Sequence, residues 1–341
     1  MRRFLPVIVL IVLAPLVAEV LPGSTPLTMP TLLLSDLLIY GPGALLMREL
    51  VRRQGRGWAS ILLLGAAYGV IEEGLALQSL FNPAYHNVSH WGARIVGING
   101  VYTEAVIVIH MVWSAAIPIL LTDLLFPTRR ATPYLRRFGL IVTGLWYLLG
   151  VALLGLTARV VYPYQTPPVL LGLAAMLALV LTVVALGVLP RPGPRPLLPV
   201  HAPQPWVVLL LTGGGVFVWH ALLALLWRIQ PAFAHGPLVA VPMLSALVVA
   251  AGLVRLVRHW ARAQDWSDRH LLALAGGALV AHTLAGDLIF TKTSDQGMAV
   301  VAPGLLLIVL LTLLAIRVRA KVRSNVGPPA ESDAGAAALS T

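Results

Sequence analysis

The sequence predicts an all-α, polytopic transmembrane helical bundle of about ten spans with the N-terminus and C-terminus both cytoplasmic, and three observations predict it. Only 11% of the 341 residues are charged and 58% are hydrophobic, with a mean hydropathy of +0.87, whereas a soluble domain carries roughly 25% charged residues. The apolar residues gather in ten runs, most close to the roughly 20 residues that cross a bilayer as a helix. The basic residues alternate between those runs. Twenty of the 24 fall in segments that ten spans place inside, and only Arg94, Arg159, Arg228 and Lys292 fall outside. Lys and Arg collect in cytoplasmic loops, so span number and orientation support each other.

The elements follow in chain order. The first run, 4–22, follows Arg2 and Arg3. A cleaved signal peptide is the alternative there, with small residues near Ala18, but the run exceeds an h-region of about 7–15 residues, so an uncleaved span is expected. The second, 31–47, leads into Arg48, Arg52, Arg53 and Arg56. The third, 58–80, holds Glu72 and Glu73 and is stopped by Asn82-Pro83. An outer loop, 81–100, carries Tyr85, His86, His90 and Trp91 and is a candidate lid; Asn99-Gly100 turns it into the fourth run, 101–126. Arg129, Arg130, Arg136 and Arg137 separate that run from the fifth and sixth, 138–161 and 168–189. Pro190 to Pro205 is a Pro-rich inner linker, stiff and non-helical. It divides six spans from four, at 206–228, 237–257, 269–291 and 297–316. Residues 1–323 therefore read as one transmembrane domain and 324–341 as a disordered cytoplasmic tail. No internal repeat is visible.

Composition also narrows function. With no cysteine, disulfides, thiol catalysis and thiolate metal sites are excluded. The net charge of +11 does not point to nucleic acid, because the bases are scattered and no zinc-finger spacing or RNA-binding fingerprint accompanies them. Membrane lipid is the expected partner. All basic residues but Lys292 and Lys321 are Arg, a bias that suggests GC-rich bacterial coding and a bacterial inner (cytoplasmic) membrane.

Ionisable side chains inside a span cost at least about 2.5–3.5 kcal/mol each, which makes them functional candidates. Four sets qualify: Glu72 and Glu73, His110, His220 and His282. Counted inward from the outer ends at ~1.5 Å per residue, all lie about 10–14 Å deep. Helices of both directions contribute, so a common polar cluster is the economical expectation. Two adjacent carboxylates in a low dielectric do not both ionise, and a charged and a protonated carboxyl side by side suit acid–base chemistry. Gly65, Ala66, Gly69 and Gly74 would let a neighbouring helix approach them. Ser114 lies one turn from His110 on the same face. His220, beside Trp219, reads as a supporting or structural residue, and Asp287, about 140° around its helix from His282, as a rim residue. Glu19, Asp36, Glu104 and Asp123 lie near span ends and read as unspecific.

Adjacent glutamates followed by isolated histidines in later spans resemble the CPBP family of intramembrane proteases. Glu72 and Glu73 match its acidic pair, with Leu77 at the family's Arg position; His110 matches its second motif, with Val106 at the Phe position. His282 is the third match, with Gly286 at the Asn position and Asp287 following. The resemblance implies a water held by Glu and His that attacks a membrane-embedded peptide substrate. Glu73 would be the base, Glu72 would hold it through a proton, and His110 and His282 would steady the oxyanion. No cofactor is required; Zn²⁺ accepts such ligands but is not favoured, since no paired-His spacing of a zincin helix occurs. The alternatives are a proton-coupled transporter, for which Pro118 and Gly213-Gly214-Gly215 would be candidate helix breaks, and a non-enzymatic membrane protein whose Glu/His groups only fix packing.

Overall fold

The computed structural model describes residues 4–85, 93–193, 196–290 and 297–325, with the side chains of 297–302 and 318–325 excepted. Among the described residues ten helices carry the fold: α1 (Leu5–Val20), α2 (Pro30–Arg53), α3 (Trp58–Ala76), α4 (Gly100–Leu125), α5 (Arg137–Val161), α6 (Pro168–Val188), α7 (Pro205–Ile229), α8 (Gly236–Trp260), α9 (Asp268–Phe290) and α10 (Gly297–Asn325). Eight are long and apolar enough to cross a membrane; α1 and the Pro303–Arg317 part of α10 are shorter apolar helices. The chain is an integral membrane protein with about the expected number of spans. His86, His90, Trp91 and residues 326–341 of the tail lie outside the described residues.

Proline and glycine set the helix ends. Pro30, Pro168 and Pro205 open α2, α6 and α7, where a missing N–H costs nothing. Asn99 caps α4, its side chain accepting from the Tyr102 amide at 3.0 Å. Before it, a two-stranded ribbon, β1 (Arg94–Ile95) and β2 (Ile98–Asn99), closes the described part of the outer loop.

The helices sort into a centre and a lipid-facing ring. Within the apolar window of α3, 72% of residues are buried in the protein, against 11% for α5. Leu145, Leu148 and Val160 of α5 and Leu179 of α6 are exposed. Glu72, Glu73, His110 and His282 thus ride on the more buried helices α3, α4 and α9, while His220 is buried on a partly exposed helix, α7. One core cluster joins α1 and α4 to α7, α9 and α10 across the division into six and four spans. The linker is non-helical from 190 to 204 apart from its two undescribed residues, and it is docked: the Leu198 amide donates to the Arg262 carbonyl and the Ala202 amide to Asp265.

The proposed breaks do not break. Gly213 to Gly215 continue as helix in α7, and Gly213 instead lets α9 pack against it, where a Cβ on Gly277 would lie 2.9 Å from the Gly213 nitrogen. Pro118 leaves α4 continuous but follows a π-helical turn, His110–Ala116. A proline ring clashes with the carbonyl four residues earlier, here that of Ser114, and a wider turn relieves it.

At the basic end, Arg48 is fully buried. Its Nε and Nη2 reach Asp123 Oδ1 at 3.2 and 3.0 Å, and it also donates to the carbonyls of Arg129, Arg130 and Thr132. Its guanidinium lies 3.4 Å from the centroid of the Tyr134 ring. Buried Glu49 accepts from the Tyr134 and Leu135 amides at 2.6 and 3.1 Å. Arg48 and Asp123, read from the sequence as a loop base and an unspecific acid, therefore lock α2, α4 and the 126–136 turn together.

Candidate functional site

Among the described residues five helices contain a π turn, and those of α6 (Val184–Val188) and α7 (Ala221–Leu225) carry no ionisable group. The other three turns, Leu16–Val20 in α1, Val70–Ala76 in α3 and His110–Ala116 in α4, carry buried ionisable groups. They hold Glu19, then Glu72 and Glu73, then His110 and Ser114. A π turn widens the backbone and swings successive side chains off the α-helical stagger, and such turns recur at functional sites. Close approach of α3 and α4 depends on glycine. A Cβ on Gly65 would lie 2.7 Å from the Met111 Cα, and one on Gly69 would lie 3.0 Å from His110 Cδ2. Gly65 and Gly69 act here as expected; Gly74 faces Ala174 of α6 instead.

His110 occupies the centre. Its Nε2 is 3.3 Å from Glu73 Oε1, and its Nδ1 is 3.0 Å from Ser114 Oγ and 3.7 Å from Glu72 Oε2. Glu73 Oε2 accepts from the Tyr102 hydroxyl at 3.0 Å and from Ser79. Ser79 is delivered by Gln78, which adopts the left-handed conformation (φ 55°), at a cost of about 1–2 kcal/mol. That reversal carries the chain from the end of α3 back over the carboxylate. Glu72 Oε2 and the Tyr68 hydroxyl, one turn apart on α3, are both buried. All these carboxyl, imidazole and hydroxyl-bearing side chains are 9% exposed or less.

The cluster extends to a group that the sequence passed over. The Tyr40 hydroxyl of α2 donates to Glu19 Oε1 at 2.6 Å, and the Tyr40 ring stacks on His110 with centroids 6.1 Å apart at 27°. Tyr68 meets His110 edge-on at 5.3 Å. Ser24 donates to the other Glu19 oxygen at 2.6 Å. Glu19 sits one residue from the end of α1, which suggests water, yet the chain beyond folds over it: Leu21 and Thr25 are buried. An acid amid the apolar run LAPLVAEVL, with no basic residue near, was the available signal. Asp36, one turn from Tyr40 on α2, also has a buried carboxyl oxygen. Among the described residues no Arg or Lys pairs with Glu19, Glu72 or Glu73.

The single cluster expected from matching depths resolves into two. His282 and His220 pair with each other, Nδ1 to Nε2 at 3.1 Å, and no hydrogen bond or ring contact joins them to His110. Trp113 stacks on His282 with centroids 4.3 Å apart, and Trp219 packs edge-on against His220 at 4.9 Å. The Gly213–Gly277 crossing of α7 and α9 brings the pair together, an alignment that depth alone does not reveal. Asp287 is half-buried near the outer end of α9, where Arg228 donates to the neighbouring Leu288 and Ile289 carbonyls. Among the described residues no three His, Asp or Glu side chains converge as a metal ion requires.

Residues 8–162 match the model of a family described as an uncharacterized membrane protein family. No curated protein and no solved structure matches the chain. The family match overturns the resemblance to the CPBP proteases. The geometry agrees with that correction, since His282, the third motif residue, lies with His220 and not with the glutamates. The matched stretch runs from α1 to the end of α5 and contains Glu19, Tyr40, Glu72, Glu73, His110 and Ser114; His220 and His282 fall outside it.

Proposed function

We propose that the chain is a proton-coupled membrane carrier whose exchangeable proton resides in the Glu72–His110–Glu73 cluster. One observation carries this reading: a single buried imidazole stands between two carboxyls, one at each ring nitrogen, with no cationic partner among the described residues. Like charges so close in low dielectric repel strongly, so the group shares protons rather than standing fully ionised. With Nε2–H donated to Glu73, a neutral His110 accepts from Ser114 at Nδ1. A proton arriving at Nδ1 turns that atom into a donor, and Glu72 Oε2 waits 3.7 Å away. Glu19, Ser24 and Asp36 supply further polar groups toward the outer ends of α1 and α2, and Tyr40 links Glu19 to the imidazole face. Intramembrane Glu and His chains serve as proton relays. The basic end would face the cytoplasm.

The test is proton uptake by proteoliposomes carrying a trapped pH dye, after an imposed pH step with potassium and valinomycin clamping the potential. Uptake should exceed that of empty liposomes. Glu73→Gln and Glu72→Gln should each slow it by about 10²-fold, the scale of a lost proton-transfer group. Uptake independent of both glutamates would sink the reading.

One contact favours a second reading, a membrane hydrolase: Ser114 Oγ lies 3.0 Å from a ring nitrogen of His110, whose other nitrogen meets Glu73. A nucleophile, a base and an orienting acid in line define such enzymes. A fluorophosphonate probe should then label wild-type protein and not Ser114→Ala; no labelling would dismiss it.

A further inference from the structure

At the basic end, a cleft of about 210 Å³ opens between α2, α3, α4 and α9. Leu120 and Leu124 of α4, Leu271 of α9 and the Trp58 indole line it, together with the guanidinium groups of Arg52 and Arg130. Trp58 is 40% exposed at the start of α3, the level at which aromatic side chains mark the membrane–water boundary.

Both arginines are held in place, and both keep donors to spare. Arg52 Nη2 donates to Asp123 Oδ2 at 2.8 Å, and its Nε is buried with no hydrogen-bond partner. Arg130 Nη2 donates to both oxygens of Asp268, at 3.0 and 2.8 Å, while its side chain is 38% exposed. A guanidinium offers five N–H donors in a rigid fork, so these contacts leave most of each fork unused. Asp123 also lines the cleft, but Arg48 already binds its other oxygen. The site therefore faces an anion with two forks and a neutralised acid.

We propose that this cleft binds a phosphate-bearing anion, with the phosphoryl oxygens between Arg52 and Arg130 and any acyl chain along Leu120, Leu124 and Leu271. Planar forks match phosphate oxygens two at a time. The apolar wall favours a lipid headgroup with a free phosphomonoester over a soluble phosphate, and the two sources share the same recognition chemistry. The inference is independent of the proton-carrier reading. General attraction of anionic lipid to a basic surface is the competing explanation, and exposed Arg137 at the start of α5 represents it.

The experiment titrates the full-length protein in detergent micelles with dioleoyl phosphatidic acid, dioleoyl phosphatidylcholine or inorganic phosphate. Thermal unfolding and native mass spectrometry read the outcome. Phosphatidic acid should raise the unfolding temperature and persist as a one-to-one adduct, and phosphatidylcholine should do neither. Arg130→Gln and Arg52→Gln should each weaken binding roughly tenfold, the scale of one lost charge-assisted contact, and Arg137→Gln should leave it unchanged. Competition by inorganic phosphate alone, with no lipid adduct, would assign the same site to soluble phosphates. Equal binding by wild type and Arg130→Gln, or equal loss in Arg137→Gln, would overturn the proposal. If Arg52→Gln fails to fold, Arg130→Gln decides, because it leaves the Arg48–Asp123–Arg52 pairing intact.

Discussion

Replacing Glu73 with Gln keeps the shape of the side chain and reverses the hydrogen bonding around it. Tyr102 and Ser79 donate to Oε2, so a glutamine turns its carbonyl toward them and its NH₂ toward His110. His110 Nε2 must then accept, and its proton moves to Nδ1, facing Ser114 and Glu72. The predicted outcome is a changed imidazole tautomer, read by nitrogen NMR of labelled histidine, together with the lost proton uptake. An unchanged tautomer would show that Glu73 does not orient the ring. Tyr40→Phe is milder. It removes one hydrogen bond from Glu19, worth about 1–3 kcal/mol when the acceptor is left buried, and should lower the unfolding temperature while slowing uptake without abolishing it. Glu72, Glu73, His110 and Ser114 were legible in the sequence because ionisable residues inside apolar runs announce themselves. Glu19 was not, because the distance of a residue from the end of a run says nothing about a loop folding back over it.

Element by element, the site depends on two helices touching. At Gly69 a side chain would press on His110, while at Gly172 of α6 nothing lies within 4 Å of an added Cβ. Gly69→Leu should destabilise by about 1–3 kcal/mol, the usual cost of overpacking, and displace His110 from the glutamates; Gly172→Leu should do neither. Thermal unfolding and proton uptake of the two variants check this together, and equal behaviour would contradict it. The linker offers a pH-dependent test outside the membrane. The Ala202 amide donates to Asp265 at 2.7 Å and holds that carboxyl below the usual carboxylate range, with His201 nearby adding to the effect. A lowered folded value means the contact is fully present above the ordinary carboxylate range and lost as pH falls through the lowered value. Hydrogen exchange at Ala202, corrected for intrinsic rate, should show protection at neutral pH that Asp265→Asn reduces. The helices themselves were legible to within a few residues, α2 and α10 apart, because apolar length and charged flanks mark them. The π turns and the glycine crossings were not, since they arise from partners distant in the chain.

For the whole molecule, Arg48 is the joint most sensitive to loss. Arg48→Ala leaves Asp123 with fewer partners and several turn carbonyls bare, a loss of about 3–5 kcal/mol for a broken buried pair, and should sharply lower the amount of folded protein in membranes. The alternation of basic residues pointed to about the right number of spans, but it counted Arg48 as one loop charge among four; only the folded bundle shows it buried. Likewise, equal depth suggested one polar cluster, whereas α9 packs on α7 and α3 on α4, which pairs His282 with His220 and His110 with the glutamates. The account rests on protons held and exchanged within the Glu72–His110–Glu73 group, and infrared titration of the protein in lipid tests this most directly. It predicts a protonated-carboxyl band that shifts in D₂O, changes with pH, and is diminished in Glu72→Gln. A band absent at every pH, or unaltered by that substitution and inert to D₂O, would contradict it.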